Sequence, residues 1–252
     1  MPGATESPAA PPAGSARWFA WLFTPRSARE TLALLFQLET ELRAIVISPR
    51  DHGVAHLKLH WWREELQRLA AGTPRHPLSV ALANSTRCTA SAWAPLGDYL
   101  TSLELDLAAV AIDDDAELER FLALADGHAR TMALSLGGES DAGRETLGAE
   151  LGQSIRGVQI VADWCATAMD EPRRQAVVRL AAQSRARWGR AVELFNGAGL
   201  EALRGLRVLG ELHLAFLDRL ERAAYRPGLR HDLPAMQSLW TAWRAARQHG
   251  LS

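Results

Sequence analysis

Residues 31–82 read TLALLFQLETELRAIVISPRDHGVAHLKLHWWREELQRLAAGTPRHPLSVAL. Apolar residues recur here at intervals of three and four, which gathers them on one face of a helix, and no run alternates as a half-buried strand would. The interruptions are chemical. Ser48-Pro49 ends one periodic segment before the next begins, and Gly72-Thr73-Pro74 ends the second, because proline removes a backbone donor and clashes with the preceding turn. The stretch predicts two helices, over 27–47 and 51–71.

The same periodicity continues outward. Further helices are expected over 76–91, 93–111, 115–137, 143–169, 172–196, 198–223 and 233–248, with breaks at Ala94-Pro95, Gly137-Gly138 and Glu171-Pro172. No internal repeat and no linker interrupts them, so the expectation is an all-α single domain over 17–248. Residues 1–16 hold four of the twelve prolines and little besides Ala, Gly and Ser. That segment reads as a disordered leader, without the basic start and apolar centre of a signal peptide.

A chain of 252 residues buries roughly three quarters of its unfolded surface and needs no disulfide or metal to fold. Its 28 basic residues balance 29 acidic ones, which leaves no field to hold a polyanion, so nucleic acid is not an expected partner. Lys58 is the only lysine. Arginine is thus the default cation, and an Arg alone does not mark an anion site. No apolar run approaches the length of a membrane span. Cys88 and Cys165 lie in apolar helical surroundings, as reduced thiols of a cytoplasmic protein do.

Short catalytic signatures are missing: there is no phosphate loop, CxxC, HExxH or GxSxG. His52, His56 and His60 are spaced by four, but the outer two lie about 12 Å apart along the axis. No carboxylate completes a site, and a solvated stripe is expected. Asp113, Asp114 and Asp115 precede a helical pattern, and Asp114 or Asp115 suits its N-cap. Glu104 and Asp106 point to different sides of their helix. The aromatic segment 17–23 is too short to span a bilayer, which leaves two expectations for Trp18, Phe19, Trp21 and Phe23: peripheral membrane contact, or packing over the mouth of a bundle. Trp61, Trp62, Trp240 and Trp243 read as core or wall residues.

In order, these segments resemble the squalene/phytoene synthase family. The resemblance rests on Pro25 and Arg29 ahead of an apolar helix, then Trp61, Trp62, Arg63 and Glu65, then Gly72, Pro74, His76 and Pro77. LGDYLTSLELDL, FLALADGHARTMALSLGG, FLDRLERAAYRP and SLWTAWRAAR are similar to later family segments, and the resemblance covers about residues 17–248. It implies the isoprenoid (terpenoid) synthase fold, a helical bundle around a central apolar cavity with Phe36, Trp61, Trp62 and Gln153 in its wall. In that family two Asp-rich motifs face each other across the cavity mouth. Carboxylates at i and i+4 there hold Mg²⁺ ions that neutralise a substrate diphosphate.

At those positions the sequence departs from the family. Its first motif falls on Arg43 and Ile47, and its second on Ile160, Asp163 and Trp164, of which only Asp163 is acidic. With Arg156 as the motif's arginine, the acidic positions fall instead on Gly157, Ile160 and Val161. A cation in place of a ligand repels Mg²⁺. The expectation is therefore a pseudoenzyme with no metal and no cofactor, binding an isoprenoid, a lipid-like ligand or a protein partner, with Arg43 paired to Asp163 across the mouth. The alternatives are a prenyl-diphosphate transferase of isoprenoid biosynthesis in which Arg43, Arg63 and Arg156 clamp the diphosphate, with Mg²⁺ only in that case, and a structural subunit of a heteromer.

Overall fold

A computed structural model describes residues 10–47, 49, 51–85, 89–109, 114–137, 142–167, 169–197, 201–226 and 233–247. Eleven α-helices run through them: α1 (Ala16–Phe23), α2 (Arg26–Ile47), α3 (His52–Ala70), α4 (Pro77–Ser85), α5 (Pro95–Leu107), α6 (Asp115–Ala125), α7 (Gly127–Gly137), α8 (Ala142–Cys165), α9 (Glu171–Gly197), α10 (Arg204–Arg222) and α11 (Ala235–Arg247). Two short 3₁₀ turns, Ala90–Trp93 and Glu201–Leu203, join them, and no strand occurs among the described residues.

Polar caps set the starts of several helices. The Ser15 side chain accepts from Trp18 N at 3.1 Å, so order reaches into the segment read as leader. Asp51 accepts from Gly53 N at 2.7 Å and Val54 N at 3.2 Å. Asp114 accepts from Glu117 N at 2.7 Å, the expected cap of the acidic run; Asp113 lies outside the described residues. Each cap satisfies an amide that its helix leaves unpaired.

Several helix boundaries differ from the periodicity, and α1 lies outside the helices expected from it. The helix expected over 76–91 ends at Ser85 in α4, and residues 86–88, with Cys88, are outside the described set. The helix expected over 115–137 is two helices, broken at Asp126. Gly127 opens α7 so close to the start of α5 that a Cβ there would lie 2.0 Å from the Pro95 carbonyl oxygen. Only glycine permits that approach.

The Gly-Thr-Pro turn after α3 hangs on one buried carboxylate. Glu65 accepts from Arg75 N at 2.8 Å, His76 N at 2.7 Å and Arg68 Nε at 2.9 Å. Burial opposes its ionisation, but the two amides and Arg68 outweigh that and hold its pKa below the usual glutamate value.

α8 packs most extensively against α9 and α7, and also on α6 and α10. α2 packs on α4, α5 and α7, while α1 lies on α10 and α11. The core is continuous, running from Leu32, Leu35 and Leu38 on α2 through Leu100 and Leu103 on α5 to Leu147 and Leu151 on α8. The aromatic segment belongs to this packing. Phe19 is buried with Val208, Leu212, Ala242 and Ala245, against which Trp18 and Phe23 also pack, and Trp21 lies under the Arg29 guanidinium, 5.2 Å from its ring. Among the described residues no helix is long and apolar enough to cross a membrane. Cys165 is buried and free.

Candidate functional site

Two connected chambers open between α2, α8 and α10. The outer one, about 620 Å³, is walled by Val158 and Ala162 of α8, Leu212 and Phe216 of α10, and Ala235 and Ser238 of α11. The inner one, about 260 Å³, is walled by Phe36, Ala129, Met132, Ile155 and Leu209. Ser15, Ala16, Arg43, Gln159 and His213 line both, so they form the ring between them.

Helix geometry layers the side chains. Arg43 follows Phe36 by seven residues on α2, and Gln159 follows Gly152 by seven on α8. Asp106 likewise follows Tyr99 by seven on α5. Two helical turns span about 10 Å. Phe36, Tyr99 and Gly152 therefore form a deep layer of the inner chamber, and Arg43 and Gln159 form a layer at its mouth, where Arg156 reaches out to Asp106.

At the mouth, Arg156 Nη2 donates to Asp106 at 2.9 and 3.2 Å, and its guanidinium lies 5.3 Å from the Phe121 ring centroid. Burial, with the nearby charge of Asp163, raises the Asp106 pKa despite Arg156 and Arg43. Arg43 and Asp163 line the same outer chamber, yet no ion pair joins them, which corrects the expected replacement bridge. Arg43 instead shares its field with Glu39, one turn earlier, and with Asp106.

Between the layers sits a buried polar group. Glu39 is paired with Arg17 at 2.8 Å and lies 3.6 Å from His128 Nδ1, while His128 Nε2 donates to the Leu35 carbonyl at 2.9 Å. Burial opposes the Glu39 charge, but His128, Arg17 and Arg43 outweigh it and hold the carboxyl below its usual pKa. Burial, with Arg17 and Arg43, lowers the His128 pKa more than Glu39 and the Leu35 carbonyl raise it. The Tyr99 hydroxyl is buried without a hydrogen-bond partner among the described residues, and burial and then Glu39 raise its pKa.

Other expected site residues lie elsewhere. Phe36 is in the cavity wall, but Trp61 and Trp62 pack on His76, with ring centroids 5.6 and 4.8 Å away. Gln153 points away from the cavity, donating to Asp126 at 2.7 Å and accepting from Arg187 at 2.9 Å. Arg63 is bound to Glu104 at 2.9 Å and Thr101 at 3.2 Å, outside both chambers. Ile160 is buried in the core, Trp164 lies under Arg173, 5.8 Å from its ring, and Ile47 is exposed. The cavity face of α8 thus runs through Gly152, Arg156, Gln159 and Asp163, so of the expected second-motif residues Ile160, Asp163 and Trp164 only Asp163 lines the cavity. Trp240, read as a core or wall residue, is 60% exposed and stacked on Trp243 at 5.1 Å. His52, His56 and His60 are all exposed, as a solvated stripe.

Magnesium does not fit this donor set. A hard cation needs several converging carboxylate oxygens, but both oxygens of Asp106 bind Arg156. Asp163 is the only acidic residue of α8 that lines either chamber, and Arg43 puts a cation in the same chamber. Among the described residues no group of three His, Cys, Asp or Glu side chains is placed to hold a metal ion.

The chain resembles a dehydrosqualene synthase solved with a ligand, at 13% identity and TM-score 0.75 over 92% of this chain and 90% of that one. It also resembles squalene synthase HpnC from Alicyclobacillus acidocaldarius, at 16% identity and TM-score 0.65 over 83% and 89%. At these identities the likeness establishes the isoprenoid synthase fold. No curated protein matches the sequence. Residues 11–164 match the profile of the family described as Squalene/phytoene synthase, and the chain belongs to that family.

Proposed function

We propose that this protein holds an isoprenoid or similar lipid-like ligand in its two-chambered cavity and does not ionise a prenyl diphosphate with magnesium. The supporting observation is the pair of helix faces at the mouth. α2 presents Arg43, and α8 presents Gln159 and Asp163, so one unpaired carboxylate stands where a metal–diphosphate site needs several. The outer chamber's volume, about 620 Å³, lies in the range of small-molecule sites. Phe36, Met132 and Leu209 give the inner chamber an apolar wall for a hydrocarbon chain. The free Cys165 thiol and the absence of a spanning helix among the described residues fit a cytoplasmic location.

A second reading, a transferase that clamps diphosphate with arginines, draws on Arg43, which faces both chambers without a paired carboxylate. Against it, Arg156 is held by Asp106 and Arg63 by Glu104. A single guanidinium is little for a diphosphate that the family neutralises with several divalent ions.

Incubation with farnesyl and geranylgeranyl diphosphate, with and without Mg²⁺, separates the two. The expected result is no pyrophosphate release above the protein-free rate in either condition. Release that Arg43→Ala abolishes would establish the arginine clamp, and release that depends on Mg²⁺ would refute loss of the metal site.

A further inference from the structure

We propose that the outward face of α11, beside the outer chamber, docks this protein on an anionic lipid surface. The inward face of α11 closes the fold with Ser238, Thr241, Ala242 and Ala245. Its outward face carries Met236, Leu239, Trp240 and Trp243, which are 77, 46, 60 and 37% exposed. Those positions follow the i, i+3, i+4, i+7 pattern of one helical stripe. Large apolar side chains aligned in solvent mark an interaction surface rather than ordinary scatter.

Charge selects the occupant. Arg244 and Arg247 end the helix, the Arg247 guanidinium lies 4.3 Å from the Trp243 ring centroid, and α11 contains no acidic residue. Tryptophan at the boundary with an arginine beside it is the composition of a helix lying in a bilayer interface, where anionic headgroups answer the arginines. A second copy of the same face has no carboxylate to offer them.

Position agrees. Ala235 and Ser238 of α11 line the outer chamber together with Arg43. A bilayer against this face brings the chamber opening to the acyl region, from which an apolar ligand enters without crossing water.

The test is flotation of the full chain with phosphatidylcholine vesicles, with and without phosphatidylglycerol, and with no cavity ligand, so that it stands apart from the proposed function. Wild type is expected to float with the anionic vesicles. Trp240→Ser with Trp243→Ser lowers the bound fraction about tenfold, and Arg244→Gln with Arg247→Gln removes about as much of the preference for anionic lipid, both with an unchanged helical circular dichroism spectrum. If the tryptophan pair unfolds, Met236→Gln with Leu239→Gln reads the same stripe. Absence of flotation, or flotation that these variants leave intact, overturns the proposal. So does a wild-type dimer, seen by light scattering, that the tryptophan variant dissociates without any vesicle binding, since the face then belongs to a second copy.

Discussion

Asp126 sits at the break between α6 and α7, accepting from Arg130 Nε at 2.7 Å and Gln153 Nε2 at 2.7 Å. Burial nevertheless pushes its pKa from 3.8 up to about 6, only partly offset by those two donors. A carboxyl whose folded-state pKa is raised contributes stability that is full below its unfolded pKa and is lost as pH rises through the folded value. The window here runs from 3.8 to about 6. Asp126→Asn is expected to flatten the fall in stability across that window, read from urea midpoints at a series of pH values; a variant with the wild-type slope would show that Asp126 does not titrate there. Arg43 teaches the same lesson at the mouth. The family resemblance places it opposite Asp163, but the carboxylates whose pKa values feel its charge are Glu39 and Asp106.

Helices were legible because their causes are local. Caps such as Asp114 and Asp51, and apolar recurrence at three and four, lie within one turn of the residues they order. The division of α6 from α7 was not legible, because the close approach that Gly127 permits there is to the Pro95 carbonyl, more than thirty residues away in the chain. Nor was the phase of α8. Its buried side includes Gly148, Gly152, Ser154 and Gly157, which carry no hydropathy signal, so the sequence could not show that Gln159 faces the cavity and Gln153 does not. Glu39 and Tyr99 were missed for a similar reason: each belongs to the site only through residues on other helices. The turn after α3 makes an element-scale prediction. Glu65→Ala strands two backbone amides and Arg68, and should cost about 3 kcal/mol, lowering Tm by about 10 °C while leaving ligand binding in the cavity unchanged. A shift of under about 2 °C would mean that the turn is held by its tryptophan packing on His76 instead.

For the whole molecule, the family's helical bundle is kept, and Arg43, Gln159 and Asp163 line the mouth of its cavity. The fold requires only that α2, α5, α7, α8 and α10 bury their apolar faces, and that requirement is indifferent to whether Arg43 and Gln159 or carboxylates line the opening. Total charge is equally uninformative, since 28 basic and 29 acidic residues balance whichever way they are distributed. Placement is decisive: Asp106 is consumed by Arg156, Glu39 by Arg17, and Asp163 alone faces the outer chamber. The most direct measurement is the affinity of the protein for a non-hydrolysable farnesyl thiodiphosphate, by calorimetry, with and without saturating Mg²⁺. A mouth that cannot hold the ion predicts affinities that agree within about twofold, whereas tightening by about tenfold or more, roughly 1.4 kcal/mol, would contradict loss of the metal site.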